Sequence, residues 1–317
     1  MAGKVSESPA PRIAAIVPCY NDGETLTETL DSLEEQEPLE LVVVNDGSTD
    51  EKTLAVLERL AARGLRVVHK PNGGLSSARM AGVEATSAAY VFALDADDMV
   101  APRSLSPLAD ELDSHPELGL VWGDLQIFGD WSQKSRMAEC LDPWLITYTN
   151  QLPVAVLIRR EALLEAGGWQ LATGWEDWDL WQTLAELGVP GRRVAGVCLL
   201  YRRHGTRMSD DSERRRAELT AVLRRRHPDL YASRRANWRR SPSPLLLRFT
   251  LPAIEVLPLG GWIKTRLGWL AGDLAHRRPL PAILKRSLFS RLRTHSRRLY
   301  LRAGRDKASR GDHGRPG

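Results

Sequence analysis

Over the first hundred residues, short apolar runs alternate with segments whose leucines recur every three or four positions. Ile13 to Val17 is an apolar run ending at Pro18 and reads as a buried strand. Glu24 to Glu35 carries Leu26, Leu30 and Leu33 at helical spacing. Leu39 to Val44 is a second strand, stopped by the turn-forming Asn45-Asp46-Gly47. Asp50 to Arg63 is helical, Arg66 to His69 a third strand, Leu75 to Ala85 a helix and Tyr90 to Leu94 a fourth strand. This alternation predicts an α/β fold: a Rossmann-like, mainly parallel central sheet flanked by helices. Ligands of such sheets bind at the carboxyl ends of the strands. The polar clusters Tyr20-Asn21-Asp22, Asn45-Asp46-Gly47-Ser48 and Asp95-Ala96-Asp97-Asp98 stand at those ends.

Beyond Gly119 the alternation loosens. Leu120 to Trp122, Leu125 to Phe128, Val154 to Ile158 and Val194 to Tyr201 read as strands. Glu161 to Ala166, ended by Gly167-Gly168, and Trp175 to Leu187 read as helices. After Tyr201 the chain turns arginine-rich, and Ser241-Pro242-Ser243-Pro244 has the composition of a linker.

Charge sharpens this division. The 317 residues carry 44 Lys+Arg and 40 Asp+Glu, a net of +4. Residues 1–201 hold 15 basic and 31 acidic side chains (−16), residues 202–317 hold 29 and 9 (+20). A strongly acidic first part argues against a nucleic-acid binder. Cys19, Cys140 and Cys198 are far apart and form no CxxC pair, which disfavours a disulfide framework or zinc site. Met1 to Pro11 has no apolar core of a signal peptide, and no window reaches the ~18 apolar residues of a spanning helix. The expectation is a cytoplasmic protein that can be peripheral at the inner face of the membrane.

Three acids in four residues, Asp95, Asp97 and Asp98, directly follow the strand Tyr90 to Leu94. Carboxylates this close raise one another's pKa unless a cation neutralises them, and oxygen ligands suit Mg²⁺ or Mn²⁺. A lone DxD is more often a solvated turn. Here the preceding strand and the equivalent polar strand ends favour a site.

In order along the chain stand Val17-Pro18-Cys19-Tyr20-Asn21, Val43 to Asp50, Asn72-Gly73-Gly74-Leu75-Ser76-Ser77-Ala78-Arg79, Leu94-Asp95-Ala96-Asp97-Asp98, Gly167-Gly168-Trp169, Trp175-Glu176-Asp177-Trp178-Asp179-Leu180-Trp181 and Tyr201-Arg202-Arg203-His204. Taken together this set resembles the family 2 glycosyltransferases, which have the GT-A fold and invert the transferred sugar. The resemblance implies that Pro18 and Tyr20 line a nucleotide pocket, that Asp46 accepts the imide N–H of a uracil-type base, and that Arg79 lies by the base or diphosphate. It implies further that Asp95 holds the ribose or a metal-bound water, that Asp97 binds Mg²⁺ or Mn²⁺, that Asp177 is the catalytic base, and that His204 is a further metal ligand or diphosphate contact. Asn45 and Met80 depart from the pattern, where relatives often have Asp and Asn. The donor implied is a UDP- or dTDP-sugar, and the acceptor a glycan, lipid-linked or small-molecule hydroxyl.

The resemblance divides the chain into a tail at 1–11, a GT-A domain at 12–209 (12–118 nucleotide-binding, 119–209 acceptor-binding), a basic helical region at 210–302 and a disordered tail at 303–317. Competing readings are a non-catalytic nucleotide-binding membrane adaptor and a sugar-1-phosphate nucleotidyltransferase, although Ile13 to Glu24 lacks the Gly-rich loop with Arg and Lys that the latter needs. Glu176, Asp177 and Asp179 can also be plain acids of a helix N-terminus. Gly73-Gly74 can cradle phosphate before a helix or simply form a turn. Gly261 to Leu274 and Ala282 to Arg302 read as basic amphipathic helices suited to an anionic membrane surface, or to the acidic first part of the chain.

Overall fold

The computed structural model describes residues 10–130, 132–150, 152–172, 174–203, 214–260, 263, 264, 266–268, 270 and 271. Strand β1 (Ile13–Cys19) is buried along its whole length. A strand with no wet face needs cover on both sides, and the next elements supply it. They run α1 (Gly23–Asp31), β2 (Leu39–Asp46), α2 (Glu51–Ala62), β3 (Arg66–Lys70), α3 (Leu75–Glu84) and β4 (Tyr90–Ala93). The four strands pair in parallel, in the order β3-β2-β1-β4. Asp50 caps α2, its carboxylate accepting the Thr53 N–H at 2.8 Å.

The chain continues through β5 (Met99–Val100), α4 (Leu105–Ser114), β6 (Leu120–Gly129), β7 (Gln133–Ser135), β8 (Leu157–Arg159), α5 (Arg160–Glu165), α6 (Glu176–Glu186) and β9 (Gly191–Arg203). Here the expectation of a mainly parallel sheet is corrected. The sheet order is β3-β2-β1-β4-β8-β6-β9-β5 with β7 on β6, and β8 runs antiparallel to both β4 and β6. Pairs β5·β9 and β6·β7 are antiparallel too, while β6·β9 is parallel. The reason is the connection into β8. Parallel neighbours need a crossover, ordinarily helical, and the described residues of 136–156 contain no helix beyond the short 3₁₀ turn Leu145–Thr147.

The period-2 alternation divides the core between the two faces of the sheet. Ile16, Val42, Val44 and Val91 point to the side of α3, α5 and α6. Ile13, Val17, Val43 and Phe92 point to the side of α1, α2 and α4. Helix α4 was not expected from the sequence; it buries Leu105, Leu108, Ala109 and Leu112.

The chain divides into two compact units, Met1–Pro242 and Ser243–Gly317. The first includes α7 (Arg216–Arg226), α8 (Pro228–Ala232) and α9 (Arg234–Arg240), and so runs beyond residue 209. In the second, α10 (Leu245–Val256) is described. The basic segment 282–302 and the tail 303–317 lie outside the described residues. No helix among the described residues is long and apolar enough to cross a membrane.

Candidate active site

Strands β1, β2 and β4 deliver their polar clusters to one edge of the sheet, and side chains tie the loops there together. Asn21 takes φ +59°, a left-handed conformation that asparagine tolerates better than most residues. Its Oδ1 accepts the N–H groups of Thr49 and Asp50 at 2.8 and 2.9 Å, joining the loop after β1 to the loop after β2. Tyr20, just before it, is 46% exposed, as a ring offered to a ligand must be. Pro18 is buried within β1. The Cys19 thiol is buried and pushed up to about 11 by desolvation, so it stays protonated and inert at neutral pH.

Asp46, buried at the end of β2, organises the segment before α3. Its Oδ1 accepts from the Lys70 ammonium at 2.5 Å and from the Gly73 N–H at 3.0 Å, and its Oδ2 accepts the Gly74 N–H at 2.8 Å. The two glycine N–H groups therefore cradle a carboxylate of the protein itself. Gly74 sits at φ +82°, ψ 170°, a region essentially restricted to glycine. An added Cβ there would meet nothing within 4 Å, so a substitution carries only backbone strain. Gly74→Ala is expected to destabilise the protein by about 1–3 kcal/mol, read as a lower urea midpoint. An unchanged midpoint would show that this backbone is not strained by a side chain.

Asp95 and Asp97 follow β4, in a turn closed by the Asp98 N–H on the Asp95 carbonyl at 3.1 Å. Strand β9 closes onto the same turn. The Arg202 backbone N–H donates to Asp98 Oδ1 at 2.8 Å, and Arg202 Nε donates to the Asp97 carbonyl at 2.8 Å. His204, two residues further on, lies outside the described residues.

The DxD turn connects to α6 through a buried arginine. Arg79 is 1% exposed. It donates to Asp95 Oδ1 at 2.7 Å and to Glu176 Oε1 at 3.2 Å, and lies over the Trp169 ring at 5.6 Å. Burial alone would lower its pKa, but the charges of Asp95 and Glu176 more than offset this, and it stays protonated. Beside Glu176, the carboxyl of Asp177 is pushed up to about 6, mainly by desolvation and then by the Glu176 charge, against the pull of Arg79 and the Trp178 N–H. Asp177 keeps part of its surface open. It accepts from the Trp178 N–H at 2.7 Å and from Asn150 Nδ2 at 3.0 Å.

The remaining acid of the motif faces elsewhere. Asp179 is buried against the end of α7, accepting from Arg226 Nε at 2.7 Å and lying 3.0 Å from His227 Nε2. Trp178 and Trp181 are core residues. Trp175, at the start of α6, holds φ +61°, unusual for a bulky residue. Its ring packs 4.6 Å from that of Trp178, and Arg216 stands 5.5 Å from the ring. Strain of this kind clusters at functional sites. Sequence reasoning missed Lys70 and Asn150, which no motif marks, gave Arg202 no role although it lies in the Tyr201-Arg202-Arg203-His204 motif, and left Glu176 without a role in the site although it stands beside Asp177.

Residues 14–163 match the model of Glycosyl transferase family 2. The chain is 37% identical over 109 residues to the uncharacterized glycosyltransferase EpsJ of Bacillus subtilis (strain 168), covering 33% of this chain and 31% of that protein. It is 27% identical over 199 residues to chondroitin synthase of Pasteurella multocida (strain Pm70), covering 56% of this chain and 19% of that protein. These relatives are much longer than the stretch they share; the chain spans about a third of their length or less. Among solved structures, S. aureus TarS in complex with UDP-GlcNAc superposes with a TM-score of 0.54 at 20% identity, over 81% of this chain and 70% of that one, a likeness of fold. Family model and fold agree with the ordered motifs at the strand ends, and residues 14–163 belong to glycosyl transferase family 2.

Proposed function

We propose that the chain is an inverting glycosyltransferase that moves a sugar from a UDP- or dTDP-sugar to an acceptor hydroxyl in glycan or polysaccharide synthesis. The observation that carries this reading is the Asp95–Arg79–Glu176 bridge, which joins the DxD turn to the helix start bearing Asp177. Names of relatives support the substrate class: chondroitin synthase, poly-β-1,6-N-acetyl-D-glucosamine synthase, and a TarS complex with UDP-GlcNAc.

Among the described residues, no three His, Cys, Asp or Glu side chains are grouped to hold a metal ion by themselves. Mg²⁺ is ordinarily held by one or two carboxylates plus substrate phosphates, and the hard oxygens of Asp97 and Asp95 fit that mode. When bound, the cation stabilises charge on the leaving diphosphate.

The chain's own residues do the rest. Tyr20 offers an open ring for the base. Asp46 has about one acceptor position left for an imide N–H, since Lys70, Gly73 and Gly74 occupy three of roughly four. Asp177 takes the proton of the acceptor hydroxyl as that oxygen attacks the anomeric carbon and the diphosphate leaves from the opposite face. One base and one displacement invert the centre; hydrolysis of a glycosidic bond would instead use two carboxylates flanking the sugar.

A thermal-shift screen of nucleotide sugars with Mn²⁺, followed by a transfer assay with the best donor, tests the reading. Asp97→Ala is expected to lower transfer by about a hundredfold or more, with EDTA doing the same to the parent protein. Metal-independent transfer, or an unimpaired Asp97→Ala, would remove Asp97 from the metal role.

A further inference from the structure

Among the described residues eight large hydrophobic side chains are exposed, and five of them, Leu245, Leu246, Phe249, Val256 and Leu257, belong to or directly follow α10. Phe249 is 62% and Val256 82% exposed. At about 100° per residue, Leu245, Leu246, Phe249 and Val256 fall on one stripe about 100° wide. Leu247 and Leu251 lie on the other side of the helix and are buried. The helix thus has one apolar face buried and a second one largely exposed. Exposed apolar side chains grouped on one helix face, unlike ones scattered singly, mark an interaction surface.

The net charge of the unit that carries this face points to its occupant. The unit from Ser243 to Gly317 carries 16 Lys+Arg and 4 Asp+Glu, a net of +12. From Ser243 to Ala271 there are three basic residues, Arg248, Lys264 and Arg266, and one acid, Glu255. A second copy of this unit would bring like charge against like charge. A bilayer with anionic headgroups accepts both features at once, apolar side chains among its acyl chains and Lys and Arg at its surface, each cation contributing about 1 kcal/mol.

We propose that α10 is an interfacial helix that lays the Leu245–Leu246–Phe249–Val256 face into an anionic membrane surface. This placement is distinct from the basic segments 261–274 and 282–302 and does not depend on the catalytic reading.

The test is flotation of the full chain with vesicles of phosphatidylcholine containing phosphatidylglycerol, against vesicles of phosphatidylcholine alone. The parent is expected to float with the first and not the second. The double substitution Leu245→Ser/Val256→Ser is expected to lower partitioning at least about tenfold while leaving the melting temperature unchanged, since both side chains are largely exposed. In the unsubstituted chain, hydrogen exchange at 245–257 is expected to slow on adding anionic vesicles. Three results would each overturn the proposal: no flotation of the parent, equal flotation of parent and variant, or a parent dimer in solution that the double substitution dissociates. Unchanged exchange at 245–257 in vesicle-bound protein would do so as well, because it would assign binding to charge elsewhere.

Discussion

Asp177→Asn is expected to lower kcat by about 10²–10⁴-fold with little change in donor affinity, the loss ordinarily attached to a general base. The fold should tolerate the change, because the amide oxygen can still accept the Trp178 N–H and a partly desolvated charge disappears. A donor-induced thermal shift equal to the parent's would demonstrate that the pocket is intact. The pH profile gives an independent reading. A base must be ionised to accept a proton, and the Asp177 carboxyl is held at about 6, so kcat/KM should rise with pH through that value. Glu176 pushes the Asp177 pKa up, so Glu176→Gln should move this acidic limb to lower pH while retaining turnover. If Glu176→Gln abolished transfer and Asp177→Asn did not, the base would be Glu176.

Motif order alone brought out both ends of this site, and the reason is physical. Strands β1, β2 and β4 are buried on both faces, so they read as unbroken apolar runs and their polar ends stand out. The partners of the motif residues were not legible. Lys70 reaches Asp46 across 24 positions and Arg79 reaches Glu176 across 97, and no local periodicity encodes either distance. Asn150 lies in an irregular stretch whose backbone follows no period. The same irregularity hid the antiparallel entry of β8, since no crossover helix announces the direction of that strand. Helix α4 is a different kind of miss: Leu105, Leu108, Ala109 and Leu112 carry a helical pattern, and Pro107 stands in the first turn, where proline is tolerated. Gly73-Gly74 was ambiguous between phosphate and turn because backbone N–H groups before a helix suit any anion; the anion here is the Asp46 carboxylate.

Arg79→Met should produce the largest loss of stability at the site. The guanidinium is buried between Asp95 and Glu176, and methionine fills much of the same volume without charge. Both carboxylates would then face each other and Asp177 with no cation between them. Breaking a buried pair by removing one partner costs about 3–5 kcal/mol, because the charge left behind is uncompensated. A urea titration should show the midpoint falling accordingly. Adding Glu176→Gln to Arg79→Met should recover part of this loss, which a simple packing defect would not allow. Arg79→Lys should fall between the parent and Arg79→Met, since it keeps the charge but loses the fork that serves two carboxylates at once. Activity provides a second axis. Arg79 holds the Asp177 pKa down, so any Arg79→Met protein that folds should show its acidic limb shifted to higher pH, opposite to Glu176→Gln. An Arg79→Met protein as stable as the parent, with an unmoved limb, would mean that the two halves of the site are held together by something other than this arginine.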